Sequence, residues 1–160
     1  MICSGLAGAL RANIMVGDVI IQSTDSSLTD TAGSALKERA IPYHIGPLVT
    51  VASPVLTPTA RRDLAAKSGA VAVDMESQTI AALCRERGIP CLAMKGVSDG
   101  IDDDLSPILG GFEIINIPRI ALRVLSRPST WPLAARLARH SYVAADHLGR
   151  GVWATLNRLR

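Results

Sequence analysis

Aromatic residues are scarce in this sequence: two Trp, two Tyr and a single Phe make up 3% of 160 residues. That is too few for the stacking platforms that hold single-stranded nucleic acid, so nucleic acid is not an expected partner. Cysteine is scarce too. Cys3, Cys84 and Cys91 are an odd number without CxxC spacing, each in an apolar context, which reads as buried, reduced thiols. His44, His140 and His147 form no ligand pattern with them, so no metal is expected. No apolar run reaches 18 residues and no basic-then-apolar leader is visible, so neither a membrane span nor a secretion signal is expected and the location reads as cytoplasmic.

Charge is sparse but uneven. Charged residues are 19% of the chain and the net charge is +3. From Pro118 to Arg160, eight arginines face a single acid, Asp146, so the basic character belongs to the tail. Apolar residues, at 48%, are enough for a real core in a chain about one domain long.

The apolar segments alternate with helical patterns. Strands are expected at Met1–Ser4, Val16–Ile21, Pro47–Ala52, Val71–Val73 and Cys91–Val97. Helices are expected from Asp30 to Ala40, from Pro58 to a stop at Gly69, and from Glu76 to Arg87 with Gly88 as its stop. Thr57-Pro58 supplies a cap hydroxyl and a proline suited to the first helical position. Strands that are apolar throughout and alternate with helices predict a covered, largely parallel sheet. Residues 1–126 read as one such domain. After a short linker at Ser126–Thr130, a basic amphipathic helical tail completes the segment 127–160, with Leu133, Leu137, Tyr142, Ala145 and Leu148 at helical spacing. That tail is expected to be peripheral, touching a membrane surface or a second subunit.

Acids stand where two strands stop. Val71–Val73 runs into Asp74-Met75-Glu76, and the strand ending at Val97 runs into Ser98-Asp99-Gly100. Ligands of open α/β sheets bind beyond the carboxyl ends of the strands, so these acids are candidates for one ligand edge. Each has a plainer reading as well. Asp74 and Glu76 can serve the start of the following helix, and Asp-Gly is a common turn pair.

"AVAVDMESQTIAALCRERGIPCLAMKGVSDG", with "CSGLAGALRANIMVGDVII" upstream, resembles the nucleoside phosphorylase and nucleosidase superfamily. Its members include purine nucleoside phosphorylases and methylthioadenosine/adenosylhomocysteine nucleosidases. "SPVLTPTARRDLAAKSGAVAVDMES" and the Trp-Pro basic tail resemble most the hopanoid-associated branch, implicated in removing adenine from adenosylhopane. The fold implied is α/β, three-layered around a mainly parallel central mixed sheet, and incomplete at the N-terminus. Further strands, carrying the group that handles phosphate or water, are expected upstream.

The resemblance implies cleavage of the N-glycosidic bond of a purine nucleoside, with phosphate or water as co-substrate, no cofactor, and a homo-oligomer. Asp99 matches the aspartate that shares or donates a proton at purine N7, and Ser98 would orient it. Glu76 matches the carboxylate that accepts from the ribose hydroxyls, Met75 the residue packed on the sugar, and Asp74 stands beside them. Gly5, Leu6, Ala7 and Gly8 are implied as a close-approach turn beside sugar and nucleophile. Ser53, Pro54 and Val55 are implied to line the base. Two departures stand out. Leu6 replaces a serine common in relatives, and Pro54 has no N–H where a backbone donor commonly meets adenine. The competing reading is a non-catalytic remnant that keeps the ribose clamp. A nucleic-acid arm at the tail fits less well, because the tail has a regular apolar stripe and no lysine cluster.

Overall fold

The computed structural model describes residues 1–111 and 117–159. Strand β1 (Ile2–Ala9) leads into β2 (Val19–Ser23), helix α1 (Ser26–Glu38), and the short strands β3 (Tyr43–Ile45) and β4 (Leu48–Thr50). Helix α2 (Pro58–Ser68), strand β5 (Ala72–Asp74), helix α3 (Ser77–Glu86) and strand β6 (Leu92–Asp99) follow. Then come the single turn α4 (Ser106–Leu109), helix α5 (Ile117–Ser126), a 3-10 turn at Pro128–Thr130, and the long helix α6 (Trp131–Arg158).

The six strands form one sheet in the order β3-β2-β6-β1-β5-β4. The pairs β1–β6, β2–β3 and β4–β5 are parallel, while β1–β5 and β2–β6 are antiparallel. The sheet is thus mixed and mainly parallel, flanked by helices, as expected for the α/β class. Strands β2, β5 and β6 are buried on both faces over most of their length. Val19 and Ile21 pack with Leu36 of α1 and Leu148 of α6, while Ile20 packs with Ala7, Val97 and Leu48 on the other side. That two-sided burial is why the strands read as continuous apolar runs rather than alternating ones.

The caps of α2 are as the sequence predicts. Thr57 Oγ1 accepts from the Ala60 N–H at 3.3 Å, Pro58 opens the helix, and Gly69 closes it in the left-handed region at φ 69°. Helix α1 starts earlier than expected, because Asp25 accepts from the Ser27 N–H at 2.9 Å and so caps it from outside the apolar pattern. Strand β3 was not anticipated at all: three residues beside Pro42 and Gly46 leave too short a pattern.

Two expectations are corrected. The supposed turn at Gly5–Gly8 is strand, bonded to β6 on one side and β5 on the other. Its glycines provide space rather than a bend. A Cβ at Gly8 would stand 2.7 Å from Asp99 Oδ2 and 2.8 Å from Arg61 Nη1, and one at Gly5 would stand 3.0 Å from Lys95 Nζ. The segment expected as a peripheral tail packs instead on the sheet. A Cβ at Gly96 of β6 would lie 2.6 Å from the Ala144 carbonyl of α6, and one at Gly151 would lie 2.4 Å from Leu36 Cδ2. Ala144, Gly151 and Ala154, small residues that let the helix approach closely, are buried there together with Leu148 and Thr155. Arg160 lies outside the described residues.

Candidate active site

Asp74 and Glu76 divide the two readings of the sequence between them. Asp74, the last residue of β5, takes the cap role: its Oδ2 accepts from the Ser77 N–H at 3.0 Å and from the Ser77 hydroxyl. Its Oδ1 accepts from Thr50 Oγ1 at 2.6 Å. Glu76 occupies the position before α3 but makes no side-chain cap bond. It turns instead to Lys95, whose Nζ lies 3.0 Å from Glu76 Oε2 and 2.9 Å from Asp74 Oδ2. Lys95 is 1% exposed in the middle of β6, so its charge must be paired where it stands. The Asp74 side chain is inaccessible, whereas that of Glu76 is 58% exposed. Asp74 borders the cavity described below, but its carboxylate is sealed behind Lys95 and Ser77 and does not reach a ligand.

Charge states in this triad follow from those contacts. Burial raises the pKa of Asp74, but the bonds from Ser77, Thr50 and Lys95 outweigh it and leave the carboxyl below its ordinary 3.8. For Lys95, burial pulls the ammonium down, and the bonds to Asp74 and Glu76 more than reverse this, leaving it above 10.5. The sign of the stability effect is then fixed. Asp74 contributes stability that is fully present above pH 3.8 and is lost as pH falls through its lower folded value. Urea midpoints should therefore drop from pH 5 to pH 3, and drop less in Asp74→Asn. Equal acid sensitivity in the two proteins would assign the loss to other carboxylates.

The second cluster sits at the end of β6. Ala7 pairs with Val97 but Gly8 pairs with Asp99, so Ser98 is an extra residue, a bulge in a parallel pair. The bulge lets neighbours in sequence meet: Ser98 Oγ donates to Asp99 Oδ1 at 2.6 Å. Asp99 Oδ2 is ion-paired with Arg61 Nη1, which also donates to the Gly100 carbonyl at 3.1 Å. Arg61 comes from the first turn of α2 and is 1% exposed. Its Nε has no hydrogen-bond partner among the described residues.

Both clusters face one cavity of about 410 Å³. Leu6, Ala7, Gly8, Pro54, Val55, Met75, Glu76, Ser98 and Asp99, all named from the sequence as candidates, line it together with Arg61, which was not. Gly5 and Ser53 do not. Gly5 lies against Lys95 instead. Val51, Leu105, Leu109 and Leu137 make the remaining wall largely apolar, and Ser141 of α6 joins it. The two acid clusters do not share one sheet edge, however. Strand β5 runs antiparallel to β1, and β1 parallel to β6, so the ends of β5 and β6 point opposite ways. They border the same cavity because β5 pairs Ala72 and Val73 with Ala9 and Gly8 of β1, and Gly8 is also the partner of Asp99, so both strands stop beside the same stretch of β1.

Residues 22–116, more than half of the chain, match the Phosphorylase superfamily. The chain belongs to that superfamily. No curated protein matches it. Solved structures of nucleosidases share the fold. A putative 5′-methylthioadenosine/S-adenosylhomocysteine nucleosidase from Francisella philomiragia aligns over 98% of this chain and 68% of its own, at 18% identity and TM-score 0.72. The S-adenosylhomocysteine nucleosidase of Streptococcus pyogenes aligns over 99% and 67%, at 16% identity and TM-score 0.71. For futalosine hydrolase of Helicobacter pylori the figures are 94%, 66%, 18% and 0.65. The chain thus spans about two thirds of these structures, and 56% of a mutant form of the last. At these identities the likeness is one of fold.

Arg61, which lines the cavity of this superfamily member, and Lys95, which lies behind its acids Asp74 and Glu76, are the two charged groups that sequence reasoning passed over. Both left a signal. Lys95 is a lone charge inside the apolar run Cys91–Val97, and a strand covered on both faces cannot hold it without acids nearby. Arg61 stands four residues before Ala65 on the buried face of α2, while its neighbour Arg62 is exposed and pairs with Asp102. Among the described residues no group of three or more His, Cys, Asp or Glu is placed to hold a metal, and no helix is long and apolar enough to cross a membrane.

Proposed function

We propose that the protein acts on the N-glycosidic bond of a purine nucleoside, with the ribose at Glu76 and Met75 and the base at Asp99. The observation that carries this reading is the direction of Glu76. It gives up the helix-cap role and presents an oxygen to the cavity that Asp99 also borders. A carboxylate accepts through both oxygens, so with Oε2 on Lys95 the other is open to a sugar hydroxyl.

The electrostatics support the same reaction. Three carboxylates (Asp74, Glu76, Asp99) meet two cations (Arg61, Lys95), a formal excess of one negative charge. Cleavage of a glycosidic bond builds positive charge on the sugar, and a fixed negative surplus beside it lowers that barrier. Asp99, held by Ser98 and Arg61, is placed to accept an N–H from the departing base. The apolar half of the cavity, with Val51, Leu105, Leu109 and Leu137, favours a nucleoside carrying an apolar 5′ substituent. Adenosylhopane, the substrate implied by the sequence resemblance, is of that kind, and water or phosphate would take the sugar.

Glu76→Gln tests the assignment. Adenosine should lose far more turnover and affinity than 2′,3′-dideoxyadenosine, because the clamp acts only through those hydroxyls. Equal losses on both would make Glu76 a charge near a helix start and nothing more.

A further inference from the structure

We infer that Lys95 is a positioning residue: braced by Asp74, it fixes Glu76 so that one carboxylate oxygen faces the cavity for a vicinal diol. The inference rests on the nucleoside reading above and assigns a role that the reading itself does not require. Glu76 could reach a sugar from its exposed position without any help.

The construction is specific. Lys95 is buried in the central strand, with its Nζ held by Asp74 at 2.9 Å and by Glu76 at 3.0 Å. Asp74 is itself fixed by Thr50 and by both the N–H and the hydroxyl of Ser77, so it cannot swing away. Thr50 Oγ1 also accepts from the Gln78 N–H at 2.9 Å, which ties the brace to the first turn of α3. A purely structural ion pair would need only Asp74 to neutralise Lys95. The second contact, to a carboxylate more than half exposed, adds to the stabilisation of the ammonium but is not needed to balance its charge. It does restrict the rotamers of a long side chain that would otherwise be free at the surface, and such pre-organisation is how a supporting residue raises affinity for a ligand it never touches. Gly5 belongs to the same device, since its missing side chain leaves room for Nζ.

The test compares equilibrium binding of adenosine and 2′,3′-dideoxyadenosine by calorimetry, because a structural role would weaken both alike. The variant is Asp74→Asn with Lys95→Met, which removes charge in pairs and leaves no buried ion alone. We expect it to lose adenosine affinity by about tenfold, in the range of one good hydrogen bond to a charged group, while dideoxyadenosine affinity is unchanged. A folded double variant that keeps the full preference for adenosine would overturn the inference. If that variant does not fold, Gly5→Ala serves instead: it crowds Nζ without altering any charge, and an unchanged preference there would equally overturn it. Wild-type protein that binds both nucleosides alike, or neither, would contradict the nucleoside reading itself, a result distinguishable from failure of the Lys95 role.

Discussion

In the proposed reaction, Asp99→Asn is expected to lower release of the base from a purine nucleoside by on the order of 10²–10⁴. Asp99 ends β6 with one oxygen accepting from Ser98 and the other on Arg61, so both point to an acceptor that a base N–H can join. An amide keeps the shape but offers one acceptor and one donor. Its NH₂ takes the place of the oxygen on Arg61, where it is repelled, or of the oxygen on Ser98, where it leaves a single uncharged acceptor to serve both the guanidinium and the base N–H. Arg61 also loses its counter-charge, so stability falls and turnover must be expressed per folded molecule, with near-ultraviolet circular dichroism as the check. Turnover near the wild-type value in a folded variant would remove Asp99 from the chemistry.

Arg61→Met lowers the melting temperature by roughly 10 °C, the shift that loss of one partner of a buried pair, about 3–5 kcal/mol, produces in a domain of this size. Arg61 is the fully buried member of the pair, and the Asp99 carboxylate it leaves behind is only slightly exposed at the cavity. Two features reduce the loss. Methionine fills most of the same volume, and removing the guanidinium also removes the unpartnered Nε. The decisive comparison is the double variant with Asp99→Asn, which carries no unpaired charge and should recover several degrees over Arg61→Met alone. Strictly additive losses would mean that the two residues are not coupled.

What the sequence disclosed and what it hid divide along physical lines. Strand–helix alternation and the caps of α2 are local, and they read directly: Thr57, Pro58 and Gly69 do what those residue types do at helix ends. Asp99, Glu76, Met75 and the β1 residues Leu6, Ala7 and Gly8 were singled out through the superfamily resemblance rather than any local pattern, and the structure places them around one cavity. Strand direction was not legible. Nothing in Val71–Val73 states that β5 runs against β1, so the acids of two strands were placed on one edge when they lie along the length of a cavity. The glycines of β1 were read as a turn because glycine marks turns more often than it marks room for a buried Nζ or guanidinium. The basic tail was read as surface because arginines and one apolar stripe suggest it. Yet Ala144, Gly151 and Ala154 are small for a reason only the packed sheet supplies.

The central claim is that the cavity between Glu76 and Asp99 is a nucleoside site, and its most direct test is a nitrogen-15 NMR titration of the chain with adenosine. The account predicts saturable shifts at the amides of Glu76, Ser98, Asp99 and Gly100, abolished together in Glu76→Gln with Asp99→Asn. It would be contradicted by shifts that gather instead around a second cavity, lined by Gln22, Gln78, Arg85 and Cys91, or by no saturable shift at all.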